Sequence, residues 1–406
     1  MICKAWIPHL LCAIVGISAW IEINGIFVEL GHMKNLPEGK SMASIIVITV
    51  QLGNIFPLIF SLLPTRPPLR WSMVVVLCFG LASLIFLAIC WSQTYFVAGS
   101  ERSVMLYIGT FIAAGADCLS NLVFWPYVGQ FPKSYITAMG TGESMSSAVS
   151  AIVSSSQKAI GFSSSTFFVV LVAIVGLCSV AYAILEVRYA PALCEEAKSN
   201  CVYSGDIPAA CTDNSVTAAS GGEALKQTSP IWKDHWTIFA VIASIAFVQN
   251  ALNPSLLPYA SRGNKEAYLI AQNALFIATP LASLSASFFK PRKSIVPAIC
   301  IWVATSIFII IAASIPGPVI HSQSGHTALL VIVMVCSGAS LAYSKVSAML
   351  WLRSKQLPSE YGEFAGYNKE FTQRLMTAAG ISMQIGSVTG AVSLFLLVQV
   401  AQVFPK

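Results

Sequence analysis

Trp20-Ile21-Glu22-Ile23-Asn24-Gly25-Ile26-Phe27-Val28-Glu29 sets an indole, an amide, a glycine and two carboxylates in or at the edge of an apolar run that begins near Trp6. A charge at mid-bilayer costs about 2.5 kcal/mol or more, so such groups face a cavity, a partner or the end of a span. Trp20 and Asn24 stand four apart, on one helix face. Gly25 lets a second helix or a flat ligand approach the backbone closely. A purely structural reading stands beside this one: Trp as interface anchor, Asn as interhelical glue, Gly as packing.

The rest of the chain has the same solvent. Of its 406 residues 56% are hydrophobic and 10% charged, with a mean hydropathy of +0.74. Soluble domains carry about 25% charged residues, so the chain reads as an all-α polytopic membrane protein. Its net charge of +6 is no nucleic-acid signal, because the basic residues sit between apolar runs. Spans of about 20 residues are predicted at 6–28, 42–63, 70–91, 103–127, 137–156, 165–187, 234–253, 265–289, 294–315, 327–350 and 376–402. The fifth is rich in Gly and Ser and carries Glu143, and it is kept because the charges require it. With eleven spans and the N-terminus in the cytoplasm, 15 of the 23 lysines and arginines fall on inner segments and 7 on outer ones. That is the asymmetry of the positive-inside rule, and it puts the C-terminus outside.

The longest loop, 188–233, reads as a mobile cytoplasmic linker between a six-helix bundle, 1–187, and a five-helix bundle, 234–406. A six-plus-five arrangement of facing bundles is the plan of a transporter that rocks about a midplane site. The spans supply groups for one. Asn24, Gln51, Asn54, Asn121, Asn250, Asn253, Gln272, Asn273 and Gln384 fall in or near them, with Trp20, Phe124, Trp125, Tyr127, Tyr259 and Tyr343 close by. Amides donate and accept, which suits a neutral ligand with imide, carbonyl and hydroxyl groups, and flat rings hold an aromatic one. Any single amide reads more readily as a helix–helix hydrogen bond, whereas nine together favour a polar cavity. The charges Glu22, Glu29, Asp117, Glu143 and Lys345 are candidates for gating or coupling. Counted along the spans, Asp117, Glu143 and Lys345 fall in the cytoplasmic half and Glu22 in the outer half. Lys345 is expected to pair with Asp117 or Glu143 when the inner gate is shut, because an unpaired buried charge is costly. Snorkelling is the alternative, since Lys345 lies about a turn from its helix end.

Enzyme signals are poor. H-E-x-x-H, P-loop and G-x-G-x-x-G patterns are missing, and Ser155-Ser156-Gln157-Lys158 fits S-x-x-K without its companion motifs. The five histidines are scattered and the eleven cysteines make no C-x-x-C pair, so neither a metal site nor a cofactor is expected.

Trp20–Leu30 resembles the first helix of the eukaryotic riboflavin transporters, solute carrier family 52. The likeness runs on through Leu36-Pro37-Glu38-Gly39, Gln51-Leu52-Gly53-Asn54-Ile55, Asp117-Cys118 and Gly142-Glu143. It returns at Asn250-Ala251-Leu252-Asn253, Thr279-Pro280-Leu281-Ala282-Ser283, Tyr343-Ser344-Lys345-Val346 and Gln384-Ile385-Gly386-Ser387. The resemblance implies sodium-independent, facilitative riboflavin uptake at the plasma membrane and a fold like the equilibrative nucleoside transporters, a six-plus-five variant of the major facilitator plan. Glu22 departs from it, standing where the family has a small or apolar residue, and Gly31 replaces the family's proline. Riboflavin, a flat tricycle with a uracil-like edge and a polyol tail, suits the amide and aromatic set. Trp20 and Phe124 are the expected stacking residues. Asn24, Gln51, Asn54 and Asn121 from the first bundle, with Asn250, Asn253 and Gln384 from the second, are expected to line the site. The residues alone leave open a facilitator for nucleosides or another neutral heteroaromatic solute, and a membrane receptor without transport.

Overall fold

The computed structural model describes residues 6–33, 36–63, 67–97, 99–132, 134–203, 231–289, 291–315, 322–354, 369–401 and 403–404. The predicted first span is two helices, α1 (Trp6–Ile17) and α2 (Ile21–Glu29), bent by 50°. Hydropathy runs on through the joint, but the hydrogen bonding does not. Ser18 N–H and Ala19 N–H turn back to Val15 O and Gly16 O, Ser18 Oγ also donates to Val15 O at 2.7 Å, and Trp20 takes φ −143°. The second span is α3 (Met42–Leu52) and α4 (Ile55–Leu62), jointed at Gly53-Asn54. Then come α5 (Leu69–Cys90), a short hairpin pairing Tyr95–Val97 with Ser100–Arg102, and α6 (Val104–Val128), α7 (Ser134–Ile160) and α8 (Ser164–Ile184).

Helix does not stop where the linker was expected to begin. A π turn, Leu185–Tyr189, carries the chain into α9 (Ala190–Tyr203). The remainder of the expected linker, 204–230, lies outside the described residues. The second half is α10 (Ile231–Phe247), a π turn Val248–Leu252, α11 (Asn253–Ala260), α12 (Lys265–Ser285), α13 (Pro291–Ser314), α14 (Gln323–Ser354) and α15 (Lys369–Phe395).

Among the described residues nine helices or helix pairs are long and apolar enough to cross a membrane, and the bent pair α1–α2 adds a tenth. Helix α7 occupies the expected fifth span. At 27 residues it exceeds the length a span needs, but its serines and glycines keep it below the apolarity of the others.

The two halves repeat one packing scheme. In each, the first helix lies along the fifth with backbones touching. A Cβ placed on Gly142 of α7 would stand 2.0 Å from Ala13 O, and one on Gly386 of α15 would stand 1.9 Å from Ala243 O. Small residues at such contacts let dispersion bind helices where lipid gives no hydrophobic drive. Both first helices are also irregular, α1–α2 by its bend and α10–α11 by its π turn, and Asn24 and Asn250 lie at or just beyond those irregularities. Two large apolar clusters flank the middle of the molecule, each drawing on both halves. One contains Phe27, Met42, Leu256 and Tyr268, and the other Trp125, Ile242, Met349 and Leu375.

Candidate central cavity

Between those clusters lies a narrow central cavity, with about 90 Å³ of space open to water and the rest in clefts between side chains. Both halves line it: Trp20, Asn24 and Phe27 from the first span and Ser144 and Ser147 from α7, facing Gln249, Asn250 and Asn253 from the π turn and α11, and Gln272 and Phe276 from α12. The irregular helices explain the arrangement. The break before Ile21 turns the Trp20 indole inward, and the π turn inserts an extra residue, so that the consecutive Gln249 and Asn250 both reach the cavity.

Most of the lining amides are held in place. Asn24 Nδ2 donates to Ser146 Oγ at 2.9 Å, Asn250 Nδ2 to Ser387 Oγ at 2.8 Å, and Asn253 Nδ2 to Ser337 Oγ at 3.1 Å. The first two bonds repeat the same first-to-fifth helix contact in each half. Fixing one end of an amide by a helix–helix bond leaves the other end for a ligand, so the two readings of these amides are compatible.

Bonds between the two halves flank the cavity on both sides. Toward the end where α12 begins, Lys158 and Glu266 pair at 3.0 Å, Asn273 Nδ2 donates to Ser155 Oγ at 3.3 Å, and the Tyr268 hydroxyl donates to Phe27 O at 3.0 Å. Beside the cavity Ser147 and Thr279 bond at 3.0 Å. Toward the other end Ser144 bonds Ser283, Lys345 Nζ donates to Glu143 Oε1, and Gln384 Nε2 donates to Cys118 O at 2.8 Å. Of the two expected partners Lys345 takes Glu143, with the Trp125 ring 6.0 Å from its ammonium.

Several expected site residues lie elsewhere. Gln51 and Asn54 bond each other at 2.8 Å at the joint between α3 and α4 and do not reach the cavity. Phe124 is packed in the apolar cluster around Trp125. Asn121 lines a small neighbouring void with Gln249, Asn250 and Lys345. Gln384 is the interhelical tie just described. Of the nine residues expected to hold the substrate, Trp20, Asn24, Asn250 and Asn253 face the central cavity. Gln249, Phe27 and Phe276 face it too, although they were not among the expected site residues, and it is the π turn that brings Gln249 in beside Asn250.

The carboxylates sort likewise. Glu29 accepts from Gln157 Nε2 at 2.9 Å. Glu22 and Asp117, placed in opposite halves of the membrane by counting, meet instead, because the 50° bend swings the start of α2 against α6. Both are wholly buried, and the Glu22 carboxylate rests on the backbone of Gly80. Outside the spans, Glu38 accepts from Ser103 N–H, Ser103 Oγ and the Tyr107 hydroxyl, tying the loop after α2 to α6. Burial pushes its pKa up, but these donors outweigh burial and hold it below the usual carboxylate value. Among the described residues no His, Cys, Asp and Glu side chains are grouped to hold a metal.

Comparison with known proteins agrees with this geometry. The family model for "Solute carrier family 52, riboflavin transporter" matches residues 4–160 and 153–406. Solute carrier family 52 riboflavin transporter member 3-B of Danio rerio is 27% identical, with 98% of this chain and 96% of the relative covered. Member 3 of Homo sapiens is 25% identical over 98% and 97%. The riboflavin transporter rft-1 of Caenorhabditis elegans is 25% identical over 97% and 96%. Among solved structures, a crystal structure of the nucleoside transporter NupG superposes with a TM-score of 0.52 at 12% identity, over 95% of this chain and 90% of that one, a likeness of fold. With both halves matched by one family model and relatives aligned from end to end, this multi-pass membrane protein is a member of solute carrier family 52, the riboflavin transporters.

Proposed function

We propose that this chain carries riboflavin across the plasma membrane by alternating access, without sodium, its N-terminus cytoplasmic, its C-terminus outside, and α7 serving as an eleventh span. The observation that carries the reading is the central cavity, built from both halves and flanked on both sides by bonds between them. Its rings, Trp20, Phe27 and Phe276, suit a flat tricycle. Its amides suit a uracil-like edge and a polyol tail. The clefts open into one chamber when the halves rock apart, and the cross-half bonds at one end break while those at the other persist.

Purified protein in liposomes tests this. Labelled riboflavin should accumulate down its gradient, lumiflavin should compete, uridine should not, and replacing sodium by choline should change nothing. Competition by uridine instead would favour the nucleoside reading, and riboflavin binding without flux would favour a receptor.

A further inference from the structure

Ser146 lies just behind the cavity wall, fully buried in α7, and its one proton is committed. Its Oγ stands 2.6 Å from Glu143 O, and a carbonyl can only accept, so the hydroxyl donates there. Ser146 Oγ therefore meets the Asn24 side chain at 2.9 Å as an acceptor, and the group facing it must be the amide Nδ2. The usual ambiguity of an asparagine's orientation is removed by chemistry. Oδ1 of Asn24 is left with no hydrogen-bond donor among the described residues, on a side chain that lines the cavity.

We propose that Ser146 is a positioning residue that sets the hydrogen-bond polarity of the site. It holds Asn24 as an obligate acceptor, so the bound substrate must present an N–H or O–H donor to it. A flavin offers two sources, the imide N–H of its ring edge and the hydroxyls of its tail. The same turn of α7 carries the Glu143 carboxylate that receives Lys345, so movement of the gate pair and orientation of the amide are mechanically linked.

The inference rests on the flavin reading, and one binding experiment separates the two. Wild-type protein, Ser146→Ala, Asn24→Ala and the double variant in nanodiscs are titrated with riboflavin, with 3-methylriboflavin, which lacks the imide N–H, and with lumiflavin, which lacks the hydroxyls. Melting temperatures serve as the folding control. Ser146→Ala should weaken riboflavin binding about 3- to 10-fold, the worth of one neutral hydrogen bond. It should add nothing in the Asn24→Ala background. One of the two donor-deleted ligands should be insensitive to it, which names the donor. Ser146→Cys, of similar volume but a poorer acceptor, should fall between, and it stands in should the alanine variant not fold. An equal loss in both backgrounds, or for all three ligands, would show that Ser146 merely packs helices and would overturn the proposal. Wild-type protein that ignores flavins and binds uridine overturns the flavin reading alone, and the same cycle with uridine and 3-methyluridine then decides the role of Ser146.

Discussion

Removing Lys345 should spring the gate on its side of the cavity. Lys345 and Glu143 are 13% and 11% exposed, so the pair is largely desolvated. Breaking a buried pair by deleting one partner costs about 3–5 kcal/mol, because the other charge stays behind unpaired. The residual hydration of Glu143 argues for the lower end, about 3 kcal/mol. The cost applies only while the gate is shut, since an open gate lets water reach Glu143. An equilibrium shift of about 3 kcal/mol is roughly 150-fold toward the open state. Ala342 lines the cavity one turn beyond Lys345 along α14. A cysteine there, in a background freed of reactive thiols, should react with an impermeant maleimide supplied from the Ser354 side only when the gate is open. Lys345→Met should raise that rate by up to the same factor. Adding Glu143→Gln, which removes the stranded charge, should return it most of the way. If the double variant labels as fast as the single, the gate is not held by charge and the reasoning fails.

Other predictions concern packing, the displaced amides and pH. Gly386→Ala forces a methyl onto Ala243 O, a backbone atom that cannot swing aside, and should lower stability by about 1–3 kcal/mol. Gly176→Ala, with open space around it, should stay within about 0.5 kcal/mol, so equal melting shifts for the two would refute the packing scheme. Asn54→Ala breaks the bond to Gln51 away from the cavity, so it should lower the melting temperature while leaving riboflavin affinity within about twofold, and a large affinity loss would return Asn54 to the site. His32, just past the end of α2, bonds Ser154 at 3.0 Å, and burial and then the charge of Lys158 hold its pKa below the ordinary 6.5. The unfolded chain therefore takes up the proton first, so what this contact adds to stability is at full strength above pH 6.5 and weakens as pH falls below it. The melting temperature should fall on acidification, and His32→Gln should flatten the fall.

How far the residues alone reach can be judged helix by helix. Helix α7 was legible through charge: its serines and glycines hide it from hydropathy, yet omitting it scrambles the alternation of lysines and arginines. Trp20, Asn24, Asn250 and Asn253 were legible as cavity residues because polar groups deep in spans need a reason to be there. Gln51 and Asn54 carry the same signal and answer it differently, each serving as the other's partner. Sequence spacing cannot tell a mutual pair from two ligands. The bend at Ser18–Trp20 and the π turn at Val248–Leu252 were not legible, because an apolar run reads the same straight or broken. Those two irregularities decide the rest. They turn Trp20 inward, admit Gln249, and bring Glu22 against Asp117.

The most direct measurement is a density map of the purified protein in nanodiscs with riboflavin bound. The flavin ring is expected between Trp20 and Phe276, with a donor of the ligand within hydrogen-bond distance of Asn24 Oδ1 and the second half contributing Asn250 or Gln272. A flavin seated outside these residues, or halves packed solid with the ligand on the surface, would contradict the account.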